Sequence, residues 1–333
     1  MLLLLLVPAT GLFAQSLTAK AYECYQQQDF ECARSLVDSA IVSDERSNSQ
    51  TWQLRGVIYR KLETPAQMDY RNIAIESFVQ ARNLDKENAY KAKIDDLLYN
   101  TIIRYYNDAV THLESNELKE SEKSYTLYKD RTLKYLNPKQ SFDQSDIDYY
   151  NALGSRYMSK LELLESGSKK DEVSEKAISL FQHVIDIDSV NWQANFNIGI
   201  IHYNHGADLA MHADPFTFTG DIEELDKMLT QSADLFRMAL PFLKRAKRIE
   251  PNNISALEGL TGCYYGLNDD ENYKKFQKLL DEQTVNDWLD KYNKNPKDIK
   301  VVRELVRIYS TTLKDEAQYD KFKTIYDQLN DQE

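Results

Sequence analysis

The sequence predicts an all-α chain, a superhelical solenoid of antiparallel helix pairs with about six to seven degenerate repeats. Three observations lead there. Only 10 Gly and 7 Pro occur in 333 residues, too few for a chain rich in strands and tight turns. The stretch Glu175–Tyr203 sets Ala177, Phe181 and Val184 at i, i+4 and i+7, the apolar stripe of an amphipathic helix. Asp188-Ser189-Val190-Asn191 then breaks the pattern with turn and cap residues, and a second helix follows from Trp192 with Phe196, Ile198, Gly199 and Tyr203. The third observation is that this unit, a small residue set among large ones in each of two helices, recurs along the chain.

In order, residues 17–44 place Ala21 in a first helix and Ala33, Val37 and Ala40 in a second. Trp52, Gly56 and Tyr59 precede Ala74, Phe78 and Ala81; Tyr105 and Ala109 precede Leu118, Ser121 and Tyr125. Tyr150, Gly154 and Tyr157 lead into the Ala177 stripe. Asn195, Gly199 and His202 precede Ala239, Leu243 and Ala246; Leu257, Leu260 and Tyr264 precede Tyr273 and Phe276. A last pair over roughly 298–330 carries Leu305, Tyr309, Phe322 and Tyr326. Ala or Gly of one helix is expected to face Ala of the next, with Phe, Tyr or Val filling the groove toward the neighbouring pair. Each pair leaves an apolar face that only another pair can cover. Inserts are expected at 62–72, 159–175 and, longest, 204–232, and a polar joint after Tyr135-Leu136-Asn137-Pro138. The expected division is a signal peptide over 1–14, N-terminal repeats over 15–136, central repeats over 146–282 and a C-terminal helical pair or cap over 283–333.

This pattern resembles the tetratricopeptide repeat (TPR) family across nearly the whole mature chain. The likeness is strongest where Trp52, Gly56 and Tyr59, then Ala74, Phe78 and Ala81, and later Ile249-Glu250-Pro251-Asn252, match the family's signature residues. The middle repeats depart from it, being much longer than the family's period. The resemblance implies stacked helix pairs whose first helices line a concave face that binds a protein or peptide.

Leu2–Val7 is an unbroken apolar run ended by Pro8, and Ala9–Ala14 reads as a cleavage region before Gln15. The run is too short to span a bilayer, and no later stretch has the length of a transmembrane helix. The Ala14-Gln15 junction is similar to that of exported Bacteroidota proteins. Export to the periplasm or outer-membrane periphery is therefore expected, with membrane association only through a partner. Cys24 and Cys32, eight apart about a turn, read either as a disulfide or as two small packing residues. Cys263 has no evident mate. Lys+Arg total 41 against Asp+Glu 53, a formal charge of −12, which disfavours nucleic acid and anionic lipid.

No Gly-rich phosphate loop, nucleophile elbow, Cys-x-x-Cys or His-Glu-x-x-His motif is present. The chain is expected to be a scaffold or adaptor, not an enzyme, with no cofactor and a protein or peptide partner, within a cell-envelope assembly. Tyrosine, at 22 residues, is abundant and suits a contact surface. The candidate groove residues are Tyr22, Tyr25, Arg60, Lys61, Asn151, Met158, Phe196, Tyr203 and Tyr265, with Val57 beside them. Two other readings are weighed. His202, His205 and His212 with Asp208 and Asp214 have spacing that a metal-dependent enzyme would use. The aromatic surplus also suits a carbohydrate-binding module.

Overall fold

The computed structural model describes residues 16–331 apart from 65–66, 68, 165–166 and 214–217. The expected signal peptide lies outside the described residues. All regular structure among the described residues is helical: fourteen α-helices and one short 3₁₀ turn, Asp44–Ser47. They divide into two compact units, one ending at Phe142 and one beginning at Asp143.

The first unit holds three antiparallel pairs: α1 (Leu17–Gln26) with α2 (Phe30–Ala40), α3 (Ser49–Leu62) with α4 (Asp69–Leu84), and α5 (Lys91–Glu114) with α6 (Leu118–Tyr135). Neighbouring pairs share core: Ala21, Ala33 and Val37 pack with Ile58, and Tyr59 and Phe78 pack with Ile94, Ile102 and Tyr105. The α3–α4 connection is held in place by charge. Arg71 is buried between Glu63 and Asp108, 2.6 Å from the latter, and its guanidinium lies 4.4 Å from the Tyr105 ring centre. Phe142, within the stretch expected as a polar joint, is buried edge-on against Tyr128 at 5.8 Å.

The second unit holds four pairs: α7 (Asp143–Leu161) with α8 (Ser168–Ile187), α9 (Trp192–His212) with α10 (Ile222–Ile249), α11 (Ile254–Gly266) with α12 (Asp270–Lys294), and α13 (Ile299–Thr311) with α14 (Glu316–Asn330). Of the stretch 204–232, expected as an insert, residues 204–212 instead belong to α9 and residues 222–232 to α10. The reason lies in Gly206, against which Phe236 packs, and in Ser232, whose hydroxyl donates to the Gly206 carbonyl at 2.7 Å. The helical contact surface therefore continues past the length of a regular pair. One helix, α12, also runs through 282–283, where a boundary was expected.

The close helix contacts differ in detail from expectation. Gly56 faces Phe78 most closely. A Cβ there would lie 2.4 Å from the Phe78 ring, and one at Gly154 would lie 2.7 Å from the Phe181 ring. The small residue makes a socket for the large residue of its own partner helix, while Ala74, Ala81 and Ala177 are fully buried on the second helices. Short turns within pairs share one device. Gln28, Asn116, Asn268 and Lys314 each have positive φ (62°, 60°, 55° and 53°) one residue before the N-cap of the second helix. Between pairs, Asn48, Asn191, Asn253 and Asp298 cap the incoming first helix through their side chains.

Candidate functional site

Within the first unit the first helices approach each other in succession, α1 against α3 and α3 against α5. A groove of about 630 Å³ opens along them. Ser16, Thr18, Ala19, Tyr22 and Tyr25 line it from α1 and its cap. Asn48, Gln50, Gln53, Leu54 and Val57 line it from α3, and Lys93 and Leu97 from α5. The spacing on each helix, 18/22/25, 50/53/57 and 93/97, is one face of a 3.6-residue period.

The walls are tied together by hydrogen bonds. The Thr18 and Thr51 hydroxyls are 2.8 Å apart, and Gln50 Nε2 donates to the Tyr90 hydroxyl at 2.6 Å. Glu45, from the 3₁₀ turn, accepts from the amides of Leu17 (2.7 Å) and Thr18 (2.9 Å) and so fastens the start of α1. Burial opposes its charge, but the hydrogen bonds from Thr18 and Leu17 together outweigh that and hold the carboxyl below the usual glutamate value.

Gln53 is the distinctive lining residue. It is only 9% exposed, and its Nε2 is buried without a hydrogen-bond acceptor. An unsatisfied buried amide donor costs about 1–3 kcal/mol, so it awaits an acceptor. Tyr22 is 50% exposed, and Tyr25 leans on Phe30 with ring centres 5.6 Å apart. Among the described residues Lys93 is the single charged residue of the lining, which there contains no carboxylate although the chain is acidic. Such a surface offers aromatic contact, neutral hydrogen bonding and one cation.

The structure therefore brings Tyr22, Tyr25 and Val57 together and places the other candidates elsewhere. Arg60 and Lys61 lie on the last turn of α3, outside the groove; the Arg60 carbonyl accepts from Arg104 at 3.4 Å. Asn151 is 8% exposed and its amide reaches Asn191 Oδ1 at 3.4 Å, a contact between α7 and the α9 cap. Phe196 stacks on Trp192 at 4.8 Å. Tyr203 packs against Phe236 at 5.8 Å, and burial raises its phenol pKa. Met158 borders a separate cavity of about 330 Å³ with Lys170, Ile201 and His205. Tyr265 is 71% exposed beside Tyr273. Reading the sequence missed Gln50, Gln53 and Lys93. Their signal was present: 50, 53 and 57 occupy the face adjacent to the packing stripe Trp52, Gly56 and Tyr59.

The histidine constellation is split: His205, Asp208 and His212 line one cavity of about 600 Å³ with Lys170 and Asp171, while His202 is turned away from it. His202 is buried against Phe242, and burial, then the neighbouring His205, lowers its pKa. His205 lies 3.7 Å from Asp171, His212 Nδ1 meets the Asp208 carbonyl oxygen, and Lys170 takes the Asp208 carboxylate at 2.5 Å. Asp214 lies outside the described residues. Among the described residues no three His, Cys, Asp or Glu side chains converge in a way that would hold a metal ion. Cys24 and Cys32 form a disulfide with Cα atoms 5.9 Å apart. Cys263 is buried, which pushes its thiol up to about 12. No described helix is long and apolar enough to cross a membrane.

No family model and no curated protein matches the sequence. Solved structures similar to it include YrrB, a TPR protein with an unusual peptide-binding site, at 12% identity over 74% of this chain and 91% of that one, TM-score 0.28. A monomeric mutant of IFIT1 with Gppp-AAAA is similar at 13% identity over 94% and 76% of the two chains, TM-score 0.29. The TPR domain of P58(IPK) is similar at 12% identity over 94% and 98%, TM-score 0.23.

Proposed function

We propose that this chain is an adaptor that holds an extended peptide segment of a partner protein in the groove of α1, α3 and α5. The observation that carries this reading is an aromatic-walled groove whose lining includes Gln53, a buried amide with no acceptor. A backbone carbonyl of an extended peptide is an acceptor of the required kind, and Tyr22 and Tyr25 supply rigid contact area at low entropic cost. Export and a place in a cell-envelope assembly complete the reading. The Leu2–Val7 run supports export, as does the Cys24–Cys32 bridge, because disulfides persist in oxidising compartments.

The test is selection of displayed peptides on the purified full chain, followed by calorimetry. Selected peptides are expected to lose at least about tenfold in affinity to Tyr22→Ala, consistent with a buried aromatic anchor. Arg60→Ala, outside the groove, should bind as the parent does. Equal affinity of the Tyr22→Ala, Tyr25→Ala and parent chains would remove the groove from the function. For export, mass spectrometry of the protein from its native host should find a chain starting at Gln15, and a cytosolic chain retaining Met1 refutes it.

A further inference from the structure

The second unit contains two arginines that the peptide reading leaves unused. A cavity of about 510 Å³ lies between the α8–α9 turn and the end of α10, lined by Ser189, Val190, Arg245, Arg248 and Ile249. Elsewhere in the chain the arginines that reach a binding partner mostly reach a carboxylate: Arg55 with Asp38, Arg71 with Glu63 and Asp108, Arg82 with Asp95. Arg245 is anchored differently. Its Nε donates at 2.7 Å to Oδ1 of Asn195, a neutral and fully buried side chain. Asn195 is itself fixed, since its Nδ2 donates to the carbonyls of Ser189 (3.2 Å) and Asn191 (2.8 Å). The guanidinium also lies 4.6 Å from the Phe242 ring centre. Its plane is thus set from two sides while its charge goes uncompensated.

Arg248 follows three residues on, the spacing that puts two side chains on one helix face. Among the described residues neither guanidinium pairs with a carboxylate. The two nearest carboxylates in sequence are engaged: Asp188 Oδ1 accepts from the Val190 amide at 3.2 Å, and Glu250 Oε2 accepts from Asn253 Nδ2 at 2.9 Å. The C-terminal end of the helix dipole favours basic residues in the last turn. It does not explain why one of them is oriented by a buried amide at the edge of a cavity. Two like charges on one face repel unless an anion lies between them.

We infer that this cavity binds the phosphate group of a phosphate monoester. A dianion matches two guanidinium groups in charge, and its oxygens suit the paired N–H geometry of arginine. Val190, 66% exposed, and Ile249 border the same cavity and give the organic part of the ester an apolar surface.

The test is calorimetric titration of the full chain with inorganic phosphate, phenyl phosphate and a phosphoserine peptide at low ionic strength. Saturable binding at one site is expected, with phenyl phosphate tighter than inorganic phosphate. Affinity should fall below about pH 6, where the phosphate becomes a monoanion. Arg248→Gln should weaken binding about tenfold without moving the thermal midpoint, because that side chain is exposed and makes no hydrogen bond or ion pair among the described residues. Arg245→Gln should do the same while its amide still reaches Asn195, and Val190→Ala should remove only the advantage of the phenyl ester. A phosphoserine peptide tighter than phenyl phosphate would put the monoester on a protein; the reverse order would make it a small molecule. Absence of saturable phosphate binding by the parent, or parent-like affinity in both arginine variants, overturns the inference. Neither result bears on the peptide groove, which lies in the other unit.

Discussion

At the scale of single residues, Gln53 separates function from stability. Replacing it with leucine removes an orphaned donor from a buried position. Gln53→Leu should therefore stabilise the unbound chain by about 1 kcal/mol or leave it unchanged, while weakening every peptide selected on the parent. Thermal denaturation and calorimetry on one preparation check both halves, and a destabilised variant that binds normally would contradict them. Gly154 and Phe181 make a second case. Gly154→Ala forces a methyl into the Phe181 ring and should cost about 1–3 kcal/mol. Phe181→Ala leaves a cavity and should cost about 3–5 kcal/mol. Because the second change removes the atom the first collides with, the double variant should cost clearly less than the sum. Denaturant titration of the four chains measures the coupling; additive costs would mean the ring does not sit in the glycine socket.

At the scale of elements, the turns store a small strain. Gln28 and Lys314 hold a left-handed conformation that suits glycine better. Gln28→Gly should raise stability by up to about 1 kcal/mol, read as a higher thermal midpoint. The same change at Gln27, whose φ is −78°, should lower it. The contact between Glu45 and the start of α1 predicts acid sensitivity. The carboxyl titrates lower when folded than when unfolded, so its contribution is present above the ordinary glutamate value and is lost as pH falls through the folded one. Amide protection over residues 17–26, taken relative to intrinsic exchange at each pH, should therefore fall from roughly pH 4 downward, the ordinary glutamate range. Glu45→Gln should abolish that pH dependence.

At the scale of the whole molecule, each unit carries its own buried clusters, and in stacked repeats stability comes from neighbouring contacts. Residues 16–142 expressed alone should fold cooperatively with a helical dichroism spectrum and keep the affinity of groove-selected peptides. A fragment that is unfolded, or folded but unable to bind, would show that the groove depends on the second unit.

The helix pairs were legible in the sequence because packing partners within a pair are close along the chain. A stripe such as Ala177, Phe181 and Val184 reports its own burial, and Asn191 reports the cap that follows. Helix ends were less legible. Gly206 and Phe236 extend α9 and α10 through a polar composition that reads as a loop, because one socket contact outweighs the polarity of its neighbours. The groove was legible only in part. Tyr22 and Tyr25 were identifiable by residue type, but residue type does not distinguish a contact surface from packing, and Tyr203 with the same chemistry lies against Phe236. The sequence by itself determined the period, the pairing of neighbouring helices and the residues that fill them, all local properties of a 3.6-residue repeat. Only the tertiary structure decided which faces of α1, α3 and α5 meet, that Gln53 lies unsatisfied among them, and that Cys24 reaches Cys32. The first two depend on the rotation of one pair against the next, set by side chains far apart in the chain; the disulfide depends on how α1 and α2 close on each other within one pair, which a spacing of eight residues left open.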